Sequence, residues 1–157
     1  LRHSSAASDV YKRQVLGVDS LNAMVMTHAQ SYPQQQSHYI VMMQAGLGQY
    51  FYALYLAGQL DQVHQQGKID GNEVSAIIGD LAMSHGPNVI MLGHCKDLDD
   101  FNGLTIKQQR CEPMAKAVLD IARTRFLAGE RQSPHELVAR YIRDAVDQPP
   151  PKIRSVD

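Results

Sequence analysis

The sequence predicts an all-α domain of four to six helices, built around a central apolar helix and ending in a basic helical hairpin. Three observations carry that prediction. Residues 39–63, YIVMMQAGLGQYFYALYLAGQLDQV, overlap a run from Ser20 to Leu60 that holds no Asp, Glu, Lys or Arg. A helix apolar nearly all round belongs at the centre of a core. Helix start and stop signals recur along the chain, and residues 104–157 gather every arginine after residue 14 into the last periodic segments.

Each element has its own warrant. Asp19-Ser20 is a cap-like start for LNAMVMTHAQ, with Leu21, Met24 and Met26 apolar. Pro33 ends that helix, because the residue before a proline avoids the helical region. SYPQQQSH is a polar connection to the central stretch.

That stretch has a second reading: a strand YIVMM, a glycine turn AGLG, and a helix from Gln49 to about Gln66. Ile40 and Val41 favour the strand, and Gly46 and Gly48 each cost a helix interior roughly 1 kcal/mol against Ala. With NVIML as another strand, the alternative fold is a small α/β unit with parallel strands near 39–43 and 89–92. A membrane span fits poorly, since Gln44, Gln49, the glycines and four tyrosines dilute the hydropathy and no basic cluster flanks them.

Farther along, Asp70-Gly-Asn-Glu73 resembles a capping box ahead of Val74, Ile77, Ile78 and Leu81 at helical spacing. His85-Gly86-Pro87 ends that helix. Pro113 suits the first turn of the next one, where its missing N–H costs least. Met114, Val118 and Ile121 give it an apolar stripe, and Gly129 closes it. SPHE then caps a last helix with Ser133, Pro134 and Glu136 in place and Leu137, Val138, Tyr141, Ile142 and Ala145 on one face. DQPPPKIRSVD favours extended polyproline geometry.

The N-terminus reads differently. One choice of codons for Asp9–Gln14 is GAT GTG TAT AAG AGA CAG, which resembles the mosaic end of a transposon used to fragment DNA. Residues 1–14 are therefore expected to be translated adapter and are set aside. On this reading residues 15–147 form one N-terminally truncated helical domain, and 148–157 a proline-rich tail.

Composition narrows the classes. Apolar residues make up 44% and charged residues 20%, a globular balance. Two cysteines make no disulfide framework and suit a reducing, cytoplasmic setting. Residues 15–103 carry two basic and eight acidic side chains, whereas 104–157 carry ten basic and seven acidic. Attraction between the two halves of one domain accounts for this. An anionic partner such as nucleic acid, met by Arg123, Arg125, Arg140 and Arg143, is the sharper reading.

Most chemical motifs fail on spacing. AGLGQYF offers Gly46 and Gly48 as an anion or nucleotide cradle at a helix start. It faintly resembles the glycine turn of some nucleotide-sugar transferases, but Phe51 stands where a dinucleotide fingerprint needs a small residue. His85, His94, Cys95 and Cys111 are the right ligand types for zinc, without knuckle spacing. KDLDDFNG places its glycine one position late for a calcium loop. Cys95, His85 and Asp80 offer triad residue types with no nucleophile-elbow sequence.

No cofactor is expected. The favoured function is a helical interaction or regulatory module, possessing a protein partner or a longer chain and touching nucleic acid through its basic hairpin. The alternative is an enzyme or a nucleotide or nucleotide-sugar binder using the strand–AGLG–helix turn, with His94 and Cys95 near its pocket.

Overall fold

The computed structural model describes residues 15–94 and 106–133. Ser20–Ser31 forms helix α1, capped by Asp19, whose carboxylate accepts from the Leu21 N–H at 2.8 Å. Next come β1 (His38–Gly46), β2 (Gln49–Tyr55) and β3 (Gln65–Asp70), then α2 (Val74–His85) and β4 (Val89–Gly93). β5 (Lys107–Arg110) and α3 (Ala115–Leu127) follow. The strands form one mixed sheet in the order β3-β2-β1-β4-β5. β1–β2 and β2–β3 are antiparallel, whereas β1–β4 and β4–β5 are parallel.

This architecture is α/β and overturns the all-α prediction. The central helix expected over Tyr39–Val63 is instead β1, β2 and the connection into β3. The physical reason is burial on both faces. Ile40, Met42, Tyr52, Leu54 and Met91 point to one side, where α2 supplies Val74, Ile78 and Leu81. Tyr39, Val41, Ala53, Tyr55, Ile90 and Leu92 point to the other, against Leu21, Met24 and Val25 of α1. Strands covered on both faces lose their polar alternation, so locally they look like a buried helix. The alternative placed strands at 39–43 and 89–92, and these pair in parallel with Tyr39 opposite Ile90.

The expected helix after AGLG is also replaced. Gly46 pairs with Gln49, and the register shifts between Gln44 and Gly46, so Ala45 is the extra residue of a bulge. Leu47 and Gly48 form the loop with φ of 54° and 73°. Two positive φ values mark the type I′ hairpin turn, whose twist matches that of the strands. Leu47 is unusual there, at 90% exposure and with a Cβ that the left-handed region penalises. Leu47→Asn should therefore raise the unfolding free energy by about 1 kcal/mol, since Asn tolerates this conformation and no packing is lost. Urea unfolding checks this, and an unchanged or lower midpoint would contradict the turn assignment.

Among the helices, α2 begins at Val74 with Glu73 as its N-cap, three residues later than a capping box on Asp70 would start it. The Asp70 carboxylate accepts from the Gln49 side chain at 2.9 Å, and Glu73 makes no side-chain cap bond. Gly71 is needed beside it, because a Cβ there would lie 2.9 Å from the Gly48 carbonyl oxygen. α3 packs on α1, not on the sheet. The Thr27 hydroxyl accepts from the Met114 N–H at 3.2 Å, and Gln30 donates to Asp120 at 2.9 Å. This is the first helix of the expected basic hairpin, while the second falls outside the described residues. Among the described residues, no helix is long and apolar enough to cross a membrane.

Candidate active site

Parallel strands carry their ligand sites at their carboxyl ends, where the connections leave a crevice. In this sheet β1, β4 and β5 share a direction, so that edge carries Gly93, His94, Arg110, Cys111 and Glu112. Gly93 pairs with Arg110, and the Cys111 N–H donates to the Gly93 carbonyl at 2.9 Å. One residue beyond β4 and two beyond β5, His94 Nε2 meets Glu112 Oε1 at 3.1 Å. A carboxylate only accepts, so Nε2–H is the donor and a neutral His94 keeps its lone pair on Nδ1. Both side chains are at least half exposed, at 50% and 60%. A pair so open to water contributes little to stability, so its chemistry is the more informative property.

Cys111 sits beside this pair in surroundings that disfavour its thiolate. Burial pushes its thiol above the ordinary range, and the Glu112 carboxylate pushes it the same way. The thiol donates to the Met24 carbonyl at 3.3 Å instead. Only the thiolate is reactive, so alkylation should be slow at neutral pH and accelerate as pH rises beyond the ordinary thiol range. Glu112→Gln should speed it by removing the lesser of the two causes. Rates with iodoacetamide, followed at Cys111 by mass spectrometry, test this; fast alkylation at pH 7 in the unaltered protein would refute it.

A polar chain ties α1 to β5 just behind the edge. The buried His28 donates through Nε2 to Gln109 Oε1 at 2.8 Å and faces the Tyr39 hydroxyl through Nδ1 at 3.4 Å. Gln109 in turn donates to the Tyr32 hydroxyl at 3.2 Å. This chain holds β5 three residues before Glu112.

The remaining sequence candidates are dispersed. Gly46 and Gly48 lie in the hairpin, and their turn leads into β2, so no helix N-terminus stands behind them. His85 is at the opposite end of β4 from His94, where its ring lies 5.8 Å from that of His38 and 5.9 Å from that of His64. There His38 Nδ1 accepts from the Ala57 N–H, and His85 Nδ1 donates to the Leu81 carbonyl rather than to Asp80. His85 thus lies between the other two rings in contact distance. Among the described residues no cluster of three His, Cys, Asp or Glu could hold a metal ion.

Arg125 is committed internally, to Glu130 at 2.7 Å and to the Gly17 carbonyl at 2.6 Å. Arg123 is exposed near Asp120. Cys95, Arg140 and Arg143 lie outside the described residues. Glu112 and Gln109 are functional candidates that sequence reasoning missed. No local motif marks them, and only the β4–β5 pairing brings them to the site.

The fold and this edge define a class: an open α/β sheet with a His–carboxylate pair at the carboxyl ends of its parallel strands. Solved structures share the fold, among them the following two. One is described as an uncharacterized protein with similarity to peptidase YEAZ from Pseudomonas aeruginosa, with a TM-score of 0.65 and 13% identity over 84% of this chain and 60% of that chain. The other is YeaZ from Pseudomonas aeruginosa, with a TM-score of 0.62 and 15% identity over 87% of this chain and 66% of that chain. This chain thus spans less than two-thirds of either neighbour. No family model and no curated protein matches the sequence. The likeness establishes the fold, and with it removes the basis for a helical regulatory module.

Proposed function

We propose that this chain is the sheet-forming, ligand-binding part of a YeaZ-like enzyme, acting by general acid–base chemistry through His94 and Glu112. The observation that carries the reading is the 3.1 Å His94–Glu112 pair at the carboxyl edge of β4 and β5. Glu112 orients the imidazole, and Nδ1 is left to take a proton from water or from a substrate group. Hydrolysis of an amide is the first reaction to test, because one structural neighbour is described by similarity to a peptidase. Cys111 stays protonated in this scheme, so water is the nucleophile. A free thiol at Cys111 fits a reducing cytoplasm, the compartment we assign.

The test is hydrolysis of a fluorogenic peptide library by the full chain, with thermal stabilisation by peptides, nucleotides and nucleotide sugars measured in parallel. His94→Ala should lower any turnover by about 100-fold or more while leaving the thermal midpoint in place. Glu112→Gln should give a smaller loss. Turnover that survives His94→Ala, or no response to any compound in either assay, would overturn the assignment.

A further inference from the structure

Strand β1 outruns its neighbour at the edge that carries His94. The β1–β4 ladder ends where Met42 pairs with Gly93, yet β1 continues for four more residues, Met43–Gly46. At about 3.3 Å per residue these reach about 13 Å past the end of β4. β2 backs the extension on its other side, with Met43 opposite Phe51 and Gln44 opposite Tyr50. β3 braces the hairpin in turn: the Gly71 N–H donates to the Gly48 carbonyl at 2.8 Å, and the Gln49 side chain donates to Asp70 at 2.9 Å.

Strand alternation fixes where the main-chain groups of this extension point. The His38 N–H donates to the Asn88 carbonyl at 2.9 Å, so His38 turns its main chain toward β4. Every second residue does the same, which selects Ile40, Met42 and then Gln44. The His64 N–H donates to the Leu54 carbonyl at 2.9 Å, which turns the even positions of β2 toward β3 and agrees with this. Gln44 lies past the last β4 partner and is exposed. Among the described residues its N–H and C=O have no hydrogen-bond partner. The bulge at Ala45 follows directly, a feature over-represented beside active sites.

We propose that an extended peptide adds to this edge as a strand, in line with β4, and takes the Gln44 N–H and C=O as main-chain partners. Strand addition draws its affinity from such main-chain bonds. About four peptide residues fit along the extension. Their near end meets His94, one residue past Gly93 in the same line, so a peptide amide is delivered to the acid–base pair. So short a span suits a segment of substrate, whereas a second copy would need a larger contact. Docking itself is independent of the acid–base reading; only the step that follows at His94 rests on it.

Binding is read by fluorescence polarisation of fluorescein-labelled random octapeptides on the full chain carrying His94→Ala, so that no probe is cut. Gln44→Pro removes the N–H without breaking a ladder bond, because proline is tolerated where that group faces outward. Its thermal midpoint should stay within about 3 °C of the unaltered chain's, while Kd rises about tenfold for the loss of one main-chain bond. N-methylation of successive peptide amides supplies a second readout that leaves the protein unaltered, and it decides the matter where Gln44→Pro unfolds the chain. Alternate positions should weaken binding about tenfold and the positions between them should not, the signature of a strand. No binding by any peptide, a folded Gln44→Pro that binds as before, or N-methylation without that alternation would overturn the proposal. The alternation without turnover by the unaltered chain would uphold docking and sink only the acid–base reading. Turnover with a KM that ignores Gln44→Pro would do the reverse. A concentration-dependent dimer lost in Gln44→Pro would assign the edge to a second copy and overturn the proposal as well.

Discussion

Leu54→Ala should lower the free energy of unfolding by about 2–5 kcal/mol, the range for a buried leucine truncated in a core that cannot collapse around the gap. Leu54 lies on β2, opposite Ile40 of β1, and is completely buried. Its side chain belongs to the cluster formed with Ile78 and Leu81 beneath α2. The neighbours are held by the β1–β2 and β2–β3 ladders, so the backbone has little freedom to close the space. Denaturant unfolding with an unchanged m-value would report this as a loss of stability rather than a change of state. A loss below about 1 kcal/mol would mean that this face of the sheet is loosely packed.

His28→Leu should cost about 2–4 kcal/mol, through hydrogen bonding rather than volume. His28 is 2% exposed, and its two ring nitrogens face the Tyr39 hydroxyl and the Gln109 amide oxygen. Leucine leaves both groups without that partner, and an unsatisfied buried polar group costs about 1–3 kcal/mol. Burial already pushes the Tyr39 hydroxyl above its ordinary range, so it remains a donor throughout the neutral region. Tyr39→Phe in the His28→Leu background should recover part of the loss, because removing both partners relieves the desolvation penalty. If the double variant is less stable than His28→Leu by the full cost of Tyr39→Phe alone, the two groups are not coupled and the network is not what holds α1 to β5.

The same chain of residues has a bearing on the candidate site. β5 is a short strand of Lys107–Arg110 at one edge of the sheet, with few apolar side chains of its own to anchor it. The His28–Gln109 bond and the Cys111 thiol bond to Met24 fasten it to α1 from behind. Glu112 follows directly. A stable base for that carboxylate is therefore built from α1, an element far from it in sequence.

Several helical boundaries were legible from local chemistry. Asp19 caps α1, Pro33 follows it, and Gly86 and Gly129 follow the ends of α2 and α3, whereas Pro113, expected in the first turn of α3, precedes its N-cap Met114. Each of these signals acts over three or four residues, a range at which sequence alone determines the outcome. The β4 segment was legible only as an ambiguity, because NVIML is equally short and apolar as a strand or as a buried helical turn.

Tertiary structure decided the rest. A strand gains its backbone hydrogen bonds only from partners, and β1 finds them in β2 across a tight turn and in β4 beyond a helix. Nothing in YIVMM states that Ile90 and Met91 will lie alongside it, and burial on both faces erases the alternation that would have marked it as a strand. The candidate site has the same origin. His94 stands out in the sequence by residue type alone and Glu112 not at all, and they become a pair only because β4 and β5 run parallel in a register that sets Gly93 beside Arg110. Local chemistry marked several helix ends, and long-range pairing determined what the apolar stretches became and which side chains meet.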